Sequence, residues 1–173
     1  MIEANALSEL FNRVDTERLV LRRPVLEDVG AIFRIHGNPA TNQFNPHGPM
    51  DSLDKAQESL NEWLADWDTV GVGYWTVIAR DAHIISGFGG VKRMVWAEQD
   101  VLNLYYRFDP SACGGGFAKE MAGPAITMAT QYCPQWPVIA RIDATNKPSI
   151  QLAERVGLGL NPELSTVEYQ VYS

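Results

Sequence analysis

The sequence predicts an α/β fold in which helices pack on one mixed, mostly antiparallel sheet. In the first half of the chain, strand-like runs follow one another across short turns, as in hairpins. In the second half, strands alternate with helical runs, as in βα units. The resulting order, β-α-α-β-β-β-α-β-α-β, disfavours a doubly wound parallel sheet, which needs regular alternation throughout.

The first half begins with a lead-in segment over residues 1–15, in which Leu7, Leu10 and Phe11 are compatible with a helix, followed by a strand over 19–22. Pro24 ends this strand, because proline has no N–H to donate to a ladder. Apolar residues at helical spacing predict a helix over 26–33. The residues that follow, 37–51, are rich in Gly, Pro and Asn and predict a loop.

A second apolar stripe at helical spacing predicts a helix over residues 53–67. Gly71 and Gly73 mark the turn after it. The β-rich runs 74–79 and 84–91 flank a short polar connection, which is typical of an antiparallel hairpin.

The second half of the chain continues with five elements that alternate strand and helix. They are a strand over 101–108, a helix over 116–133, a strand over 138–142, a helix over 146–156 and a strand over 169–172. Gly157 is a natural C-terminal cap for the last helix, because glycine readily adopts a positive φ.

Length and composition predict a single domain, residues 1–173, with 46% hydrophobic and 20% charged residues. The net charge is −7, and no cluster of Lys or Arg indicates a nucleic-acid partner. No apolar run reaches the roughly 20 residues of a membrane span. The N-terminus lacks the pattern of a secretion signal, and two cysteines are too few for a disulfide framework. We therefore expect a cytoplasmic protein.

The most informative segment is 108–120, which joins a predicted strand to a predicted helix through glycines 114–116. Glycine lets a ligand come close to bare backbone amides, and a helix start offers unpaired N–H groups. The positive end of the helix dipole favours an anion at the same place. The segment therefore predicts a phosphate or pyrophosphate site, with a flexible strand-to-helix turn as the alternative.

Three segments, in this order, resemble the GNAT superfamily of acyl-CoA-dependent N-acetyltransferases. They are 16–22 (TERLVLR), 109–120 (DPSACGGGFAKE) and 146–158 (NKPSIQLAERVGL). The first looks like an opening strand, the second like an acetyl-CoA loop and the third like the Asn-x-x-Ser helix of the family. Within the superfamily, the branch that acetylates ribosomal-protein N-termini, the RimJ/RimL type, is the most similar.

This resemblance implies a GNAT-like central sheet of about six to seven strands, splayed after the fourth strand and flanked by about four helices. It implies acetyl-CoA as acyl donor, with its pantetheine arm in the gap beside strand 102–108. A backbone N–H of this strand, near Tyr105 or Tyr106, is expected to donate to the thioester carbonyl. The cofactor-binding residues implied are Tyr106, Phe108, Gly114, Gly115, Gly116, Phe117, Ala118, Lys119 and Asn146.

The resemblance also locates catalytic positions, two of which hold unusual residues. Relatives often carry a Glu base on the fourth strand, where this chain has Asn103, and a Tyr acid on the last helix, where it has Ala153. In the RimL-like branch the serine of the motif is thought to serve as acid, which maps to Ser149. An acidic position of the branch maps to Glu163, our predicted base. The other candidate bases are Glu98, Glu168 and His47.

In the family, the region of the first two helices forms the acceptor side. Phe44, Asn45 and His47 of the loop, with Trp75, are therefore predicted to line an acceptor pocket, with core packing as the alternative for the tryptophan. Ser111 and Cys113 depart from residues usual in the loop. No His is placed to activate Cys113 as a nucleophile, so we expect it to pack. The histidines lack metal-ligand spacing, and no metal is predicted.

The sequence thus predicts an N-acetyltransferase that moves an acetyl group to a primary amine by direct attack in a ternary complex. The acceptor would be a protein N-terminus or a small-molecule amine, and the resemblance allows a homodimer. Asn103 and Ala153 keep open an acyl-CoA-binding module without catalysis. A third alternative, a protein that binds another nucleotide, lacks the early G-x-G-x-x-G or G-K-[ST] signature.

Overall fold

A computed structural model describes residues 2–173 of the chain. Its seven strands are β1 (Arg13–Asp15), β2 (Leu19–Arg22), β3 (Tyr74–Ala79), β4 (Ile84–Trp96), β5 (Gln99–Phe108), β6 (Val138–Ile142) and β7 (Gln170–Tyr172). They form one sheet whose spatial order follows the chain. All neighbours are antiparallel except β5 and β6, which run parallel. The predicted mixed, mostly antiparallel sheet is confirmed.

Five α-helices flank the sheet, namely α1 (Ala4–Phe11), α2 (Val29–His36), α3 (Leu53–Val70), α4 (Phe117–Tyr132) and α5 (Lys147–Arg155). Helices α2 to α5 correspond to the four predicted helices. Local signals set two of their starts: the Ser52 side chain accepts a hydrogen bond from the Lys55 N–H of α3, and the Asn146 side chain accepts one from Ser149 of α5.

The lead-in segment contains the helix that its apolar residues allowed and one strand that was not predicted. The helix is α1, whose Leu7 and Phe11 are buried, and the strand is β1, which pairs with β2. Strands β4 and β5 are also longer than the predicted runs 84–91 and 101–108, and they join in a hairpin. Its turn lies at Ala97 and Glu98, both of which have a positive φ.

The parallel pair β5 and β6 separates soon after it forms. Ladder pairing is confined to Leu102 with Val138 and Asn103 with Ile139. Beyond these pairs the two strands diverge, so the sheet is splayed beside β5, the fourth strand of the sequence-based prediction. This splay is confirmed, and it opens the space in which the candidate site lies.

The two faces of β5 carry different partners, because successive side chains of a strand alternate. Leu102, Leu104 and Phe108 join the main core, which includes Met121 of α4. On the opposite face, the ring of Tyr105 stacks near His36 of α2. The strand therefore separates a face covered by α4 from a face covered by α2.

Candidate active site

A cavity of about 580 Å³ lies between the diverging strands β5 and β6. Its walls come from β5, β6, the glycine loop at residues 112–119, one side of α5 and the segment 40–45 after α2. The cavity thus reaches both faces of β5. Its size is that of a typical small-molecule or cofactor site.

The glycine loop presents bare backbone towards open space. A Cβ added to Gly114 would have no neighbour within 4 Å, and one added to Gly116 would meet Arg18 at 3.4 Å. Both glycines have φ near 80°, which other residues rarely adopt. Gly116 is the N-cap of α4, and no side chain caps this helix. Its first N–H groups are therefore suited to an anion.

Side chains outside the loop hold it in place. The Asp109 carboxylate accepts hydrogen bonds from the N–H and the hydroxyl of Ser111, at 3.0 and 2.6 Å. Arg18 donates to the Gly115 carbonyl at 2.7 Å. Sequence analysis missed Arg18 as a site residue, although Arg18 lies within the segment 16–22 that resembles the family's opening strand. Of the predicted loop residues, Gly114, Gly116, Phe117, Ala118 and Lys119 line the cavity.

Tyr106 and Ser149, predicted separately, are in contact inside the cavity. The Tyr106 hydroxyl donates to Ser149 Oγ at 2.8 Å. Burial raises the pKa of Tyr106, so its hydroxyl stays protonated. Asn146 holds the serine from the other side, because its Oδ1 accepts from the Ser149 N–H at 3.2 Å. Ser149 Oγ is therefore held as an acceptor while its own proton remains available to a third group.

On the opposite face, Tyr105 is bound to His36. His36 Nδ1 lies 3.1 Å from the Ile32 carbonyl and Nε2 lies 3.0 Å from the Tyr105 hydroxyl. A carbonyl only accepts, so Nδ1 carries the hydrogen and Nε2 accepts from Tyr105. Burial, and next the charge of Arg107, lower the pKa of His36 to about 4. The imidazole is therefore neutral near pH 7.

The residues predicted to line an acceptor pocket lie in different environments. Phe44 lines the cavity. His47 is exposed on its loop and does not line it. The prediction for Trp75 is wrong: its ring is fully buried, stacks on Phe11 and donates to the Phe11 carbonyl at 2.7 Å. Core packing, the alternative, describes this residue.

The structure does not bring the candidate bases to the cavity. Glu163 lies exposed in the loop after α5, and neither it nor Glu98 or Glu168 lines the cavity. Asp143 is the only carboxylate among the lining residues of the described chain, and sequence analysis missed it. Its position at the end of β6 beside the splay was the available signal. Hydrogen bonds from the Thr145 hydroxyl and N–H hold the pKa of Asp143 below its usual value, so it is a weak base.

Two further residues bear on the chemistry. Cys113 lines the cavity, but burial and the charge of Asp109 raise its pKa. It is therefore a thiol near pH 7 and a poor nucleophile. Asn103 is buried and its Oδ1 accepts from Arg141 Nε at 3.3 Å.

Within residues 2–173 there is no cluster of three His, Cys, Asp or Glu side chains suited to a metal ion, and no helix is long and apolar enough to cross a membrane.

Known proteins share this architecture. The family model described as acetyltransferase (GNAT) domain matches residues 18–159. An acetyltransferase from Agrobacterium tumefaciens is similar with a TM-score of 0.79 and 23% identity over 92% of both chains. The ribosomal-protein-S5-alanine acetyltransferase of Vibrio fischeri is similar with a TM-score of 0.67 and 14% identity, over 92% of this chain and 93% of that protein. The spermidine N-acetyltransferase of Vibrio cholerae, solved with CoA and spermine, is similar with a TM-score of 0.69 and 16% identity, over 91% of this chain and 94% of that protein.

Proposed function

The chain belongs to the GNAT acetyltransferase family, and from this membership we propose that it transfers the acetyl group of acetyl-CoA to a primary amine. One observation carries the proposal. A single cavity is lined by the glycine loop, by the Tyr106–Ser149 pair and by residues of the α2 side. A donor and an acceptor amine could therefore meet inside it from opposite faces of β5.

GNAT enzymes use acetyl-CoA, and the residues present fit it. The free space at Gly114 and Gly116 and the uncapped start of α4 suit a pyrophosphate. Lys119 adds a cation at the same end of the cavity. Tyr106, Phe108 and Asn146 line the continuation of the cavity beside the splay, where a pantetheine arm would lie.

Acetyl-CoA would supply a thioester, whose carbonyl carbon is open to direct attack by a neutral amine. In this step a C–N bond forms, the C–S bond breaks, the amine loses a proton and the sulfur gains one. We assign the proton given to sulfur to Ser149, because Tyr106 already donates to Ser149 Oγ and leaves the serine hydrogen free. The serine oxygen then regains a proton through Tyr106, which is itself reprotonated from water. General acids typically contribute roughly 100- to 10,000-fold in rate, and Ser149 would contribute at or below the lower end of that range because a thiolate is already a good leaving group.

The lining residues offer no strong base for the amine proton. Asp143 has a lowered pKa and is occupied by Thr145, and Glu163 lies outside the cavity. We propose that the amine enters the site neutral and that its proton is lost to water. An amine at pH 7 is mostly protonated, so the rate would rise with pH as the neutral fraction grows.

The finer identity rests on the motifs. We place the chain in the RimJ/RimL-like branch, as a cytoplasmic enzyme of one domain, on the three ordered segments within residues 16–158. The relatives described above act on a ribosomal protein and on spermidine. A protein N-terminus or a small-molecule amine is therefore the acceptor we propose.

A second candidate function is an acyl-CoA-binding module without catalysis. Asn103 and Ala153 favour it, since they occupy positions at which relatives carry a base and an acid. Both functions require acetyl-CoA binding, and only the enzyme releases CoA when an amine is added.

Calorimetric titration with acetyl-CoA tests the shared requirement, with ATP and NAD as controls. We expect micromolar binding of acetyl-CoA alone. A screen of amines for thiol release then separates the two functions. Failure to bind acetyl-CoA would overturn both, and binding without thiol release from any amine would favour the binding module.

A further inference from the structure

The arginines of this protein divide into two groups. Seven form ion pairs with carboxylates, and these are Arg13, Arg18, Arg22, Arg23, Arg34, Arg80 and Arg93. Within residues 2–173, the other three have no such partner within 4.0 Å. They are Arg107, Arg141 and Arg155, and all three line the cavity. In a chain of net charge −7, this arrangement concentrates unpaired positive charge at one place.

Two of these arginines lie on the face of the sheet that α2 covers. We call it the acceptor face, because the acceptor amine is proposed to bind on this side. Arg107 follows Tyr105 on β5 by two residues, so both side chains share the face that α2 covers. Tyr106 and Phe108 lie on the other face, where the ring of Phe108 packs near Phe117 of the glycine loop. Arg107 is therefore directed away from the loop proposed to hold the pyrophosphate.

Arg141 lies on the corresponding face of β6. Its neighbours Ala140 and Ile142 belong to the main core with α4, and its own guanidinium lies over the rings of Trp96 and Tyr169, at 4.9 and 5.4 Å. Arg155, by contrast, is exposed in the last turn of α5. Only Arg107 and Arg141 thus combine partial burial with a place on the acceptor face.

Neutral groups orient both guanidinium groups. Arg107 donates to the Asn42 side-chain oxygen, and its guanidinium lies 5.9 Å from the Tyr105 ring centre. Arg141 donates to the Asn103 side-chain oxygen. Amides and aromatic rings fix the position of a cation without cancelling its charge. Removing a charge from water is costly unless an opposite charge compensates it.

The positive charge of Arg107 already affects a neighbouring side chain, His36 of α2. The charge of Arg107 is the second cause, after burial, of the lowered pKa of His36. Asp143, the one carboxylate among the described lining residues, accepts hydrogen bonds from Thr145 and forms no ion pair with Arg107 or Arg141. The part of the cavity beside Arg107 and Arg141 is therefore suited to bind an anion, and among the described residues no carboxylate of the protein occupies that place.

We infer that the acceptor amine carries a carboxylate, which Arg107 and Arg141 bind from the two diverging strands. This inference rests on the proposed acetyl transfer and narrows its substrate to amino acids and closely related amino carboxylates. Guanidinium groups suit this role because their paired N–H donors match the two oxygens of a carboxylate. Phosphate oxygens present a similar pattern, so the test includes an amino phosphate.

The test compares kcat/KM for three sets of acceptors at saturating acetyl-CoA, measured by thiol release. The sets are the free amino acids, the matching amino acid amides, and phosphoethanolamine. We expect the best amino acid to exceed its amide by roughly tenfold or more, the value of a charge-assisted hydrogen bond. Equal use of acid and amide would overturn the inference, and a preference for phosphoethanolamine would overturn the carboxylate assignment.

Substitutions then connect the preference to the two arginines. Arg107→Gln and Arg141→Gln should each raise KM for the amino acid roughly tenfold and leave KM for the amide within about twofold. Arg93→Gln is the matched control. Arg93 also lies over a tryptophan, Trp136 at 4.7 Å, but it is paired with Asp100 and does not line the cavity. An acid preference that survives both cavity substitutions would overturn the assignment.

A binding measurement tests the carboxylate site even if the proposed acetyl transfer is wrong. If acetyl-CoA binds but no amine releases thiol, the CoA-loaded protein is titrated with N-acetyl amino acids and with their amides. Tighter binding of the acids, lost in Arg107→Gln, would support the anion site although catalysis had failed. Absence of any difference between acids and amides would overturn the anion site whether or not the enzyme is active.

Discussion

Arg18 and Glu120 are joined by two hydrogen bonds of 2.7 Å, from the Arg18 N–H and from its guanidinium Nε. Glu120 lies in the first turn of α4, directly after the glycine loop. The same guanidinium donates to the Gly115 carbonyl and lies 4.9 Å from the centre of the Phe117 ring. The turn before β2 therefore fixes both the loop and the helix start that follows it.

This pair should matter for acetyl-CoA affinity. Glu120→Gln and Arg18→Ala remove contacts that hold the loop open, so the loop must be ordered when the ligand binds. We expect each substitution to weaken acetyl-CoA binding roughly fivefold to tenfold by calorimetry. Arg13→Ala is a suitable control, since it removes the exposed Arg13–Asp15 pair of the neighbouring hairpin and should leave the affinity unchanged. An affinity unaltered in Glu120→Gln would show that the loop holds its shape without the pair.

Gly116→Glu should abolish acetyl-CoA binding while the protein stays folded. The new side chain would fill and negatively charge the space in front of the α4 N-terminus. Gly157→Glu is the matched control, because Gly157 has a φ of 92° and open surroundings but does not line the cavity. Both variants place the same charged side chain at a position of positive φ. If a folded Gly116→Glu protein binds acetyl-CoA normally, the pyrophosphate site lies elsewhere.

Ser149→Ala should lower kcat and leave acetyl-CoA binding within about twofold. The Asn146 side chain accepts from the backbone N–H of Ser149, so this hydrogen bond survives the substitution. A loss of roughly tenfold to a hundredfold in kcat is expected for a removed general acid with a good leaving group. Tyr106→Phe should lower kcat less, because it removes only the donor that orients the serine. Unchanged turnover in Ser149→Ala would exclude the assigned acid role.

His36 should make folding stability depend on pH between 6.5 and 4. Its pKa is about 4 in the folded protein and ordinarily 6.5, so the unfolded chain takes up a proton first as the pH falls. The stabilisation is complete above pH 6.5 and is lost towards pH 4, by at most about 3 kcal/mol.

Urea unfolding at several pH values checks this dependence. The free energy of unfolding of His36→Gln should fall less steeply over this interval than that of the wild type. His83→Gln is the control, since His83 is exposed in the β3–β4 turn. Parallel curves for His36→Gln and the wild type would contradict the buried, neutral state of His36.

Sequence patterns predicted the elements that short-range physics determines. Alternation and helical spacing located α2 to α5 and all but one of the strands, with shifted ends. The glycines at 114–116 marked the loop because positive φ and bare amides require glycine there. The strand β1 was missed, since three residues are too few to show an alternation.

The sequence by itself thus determined the order of the elements along the chain, the family resemblance and the loop before α4, all of which are written in local patterns of residues. Only the tertiary structure decided that Tyr106 meets Ser149 and that Arg18 meets Glu120, across 43 and 102 residues of chain. It also placed Trp75 in the core and left Glu163 outside the cavity. Such contacts depend on how distant elements pack against one another, and no local pattern records that packing.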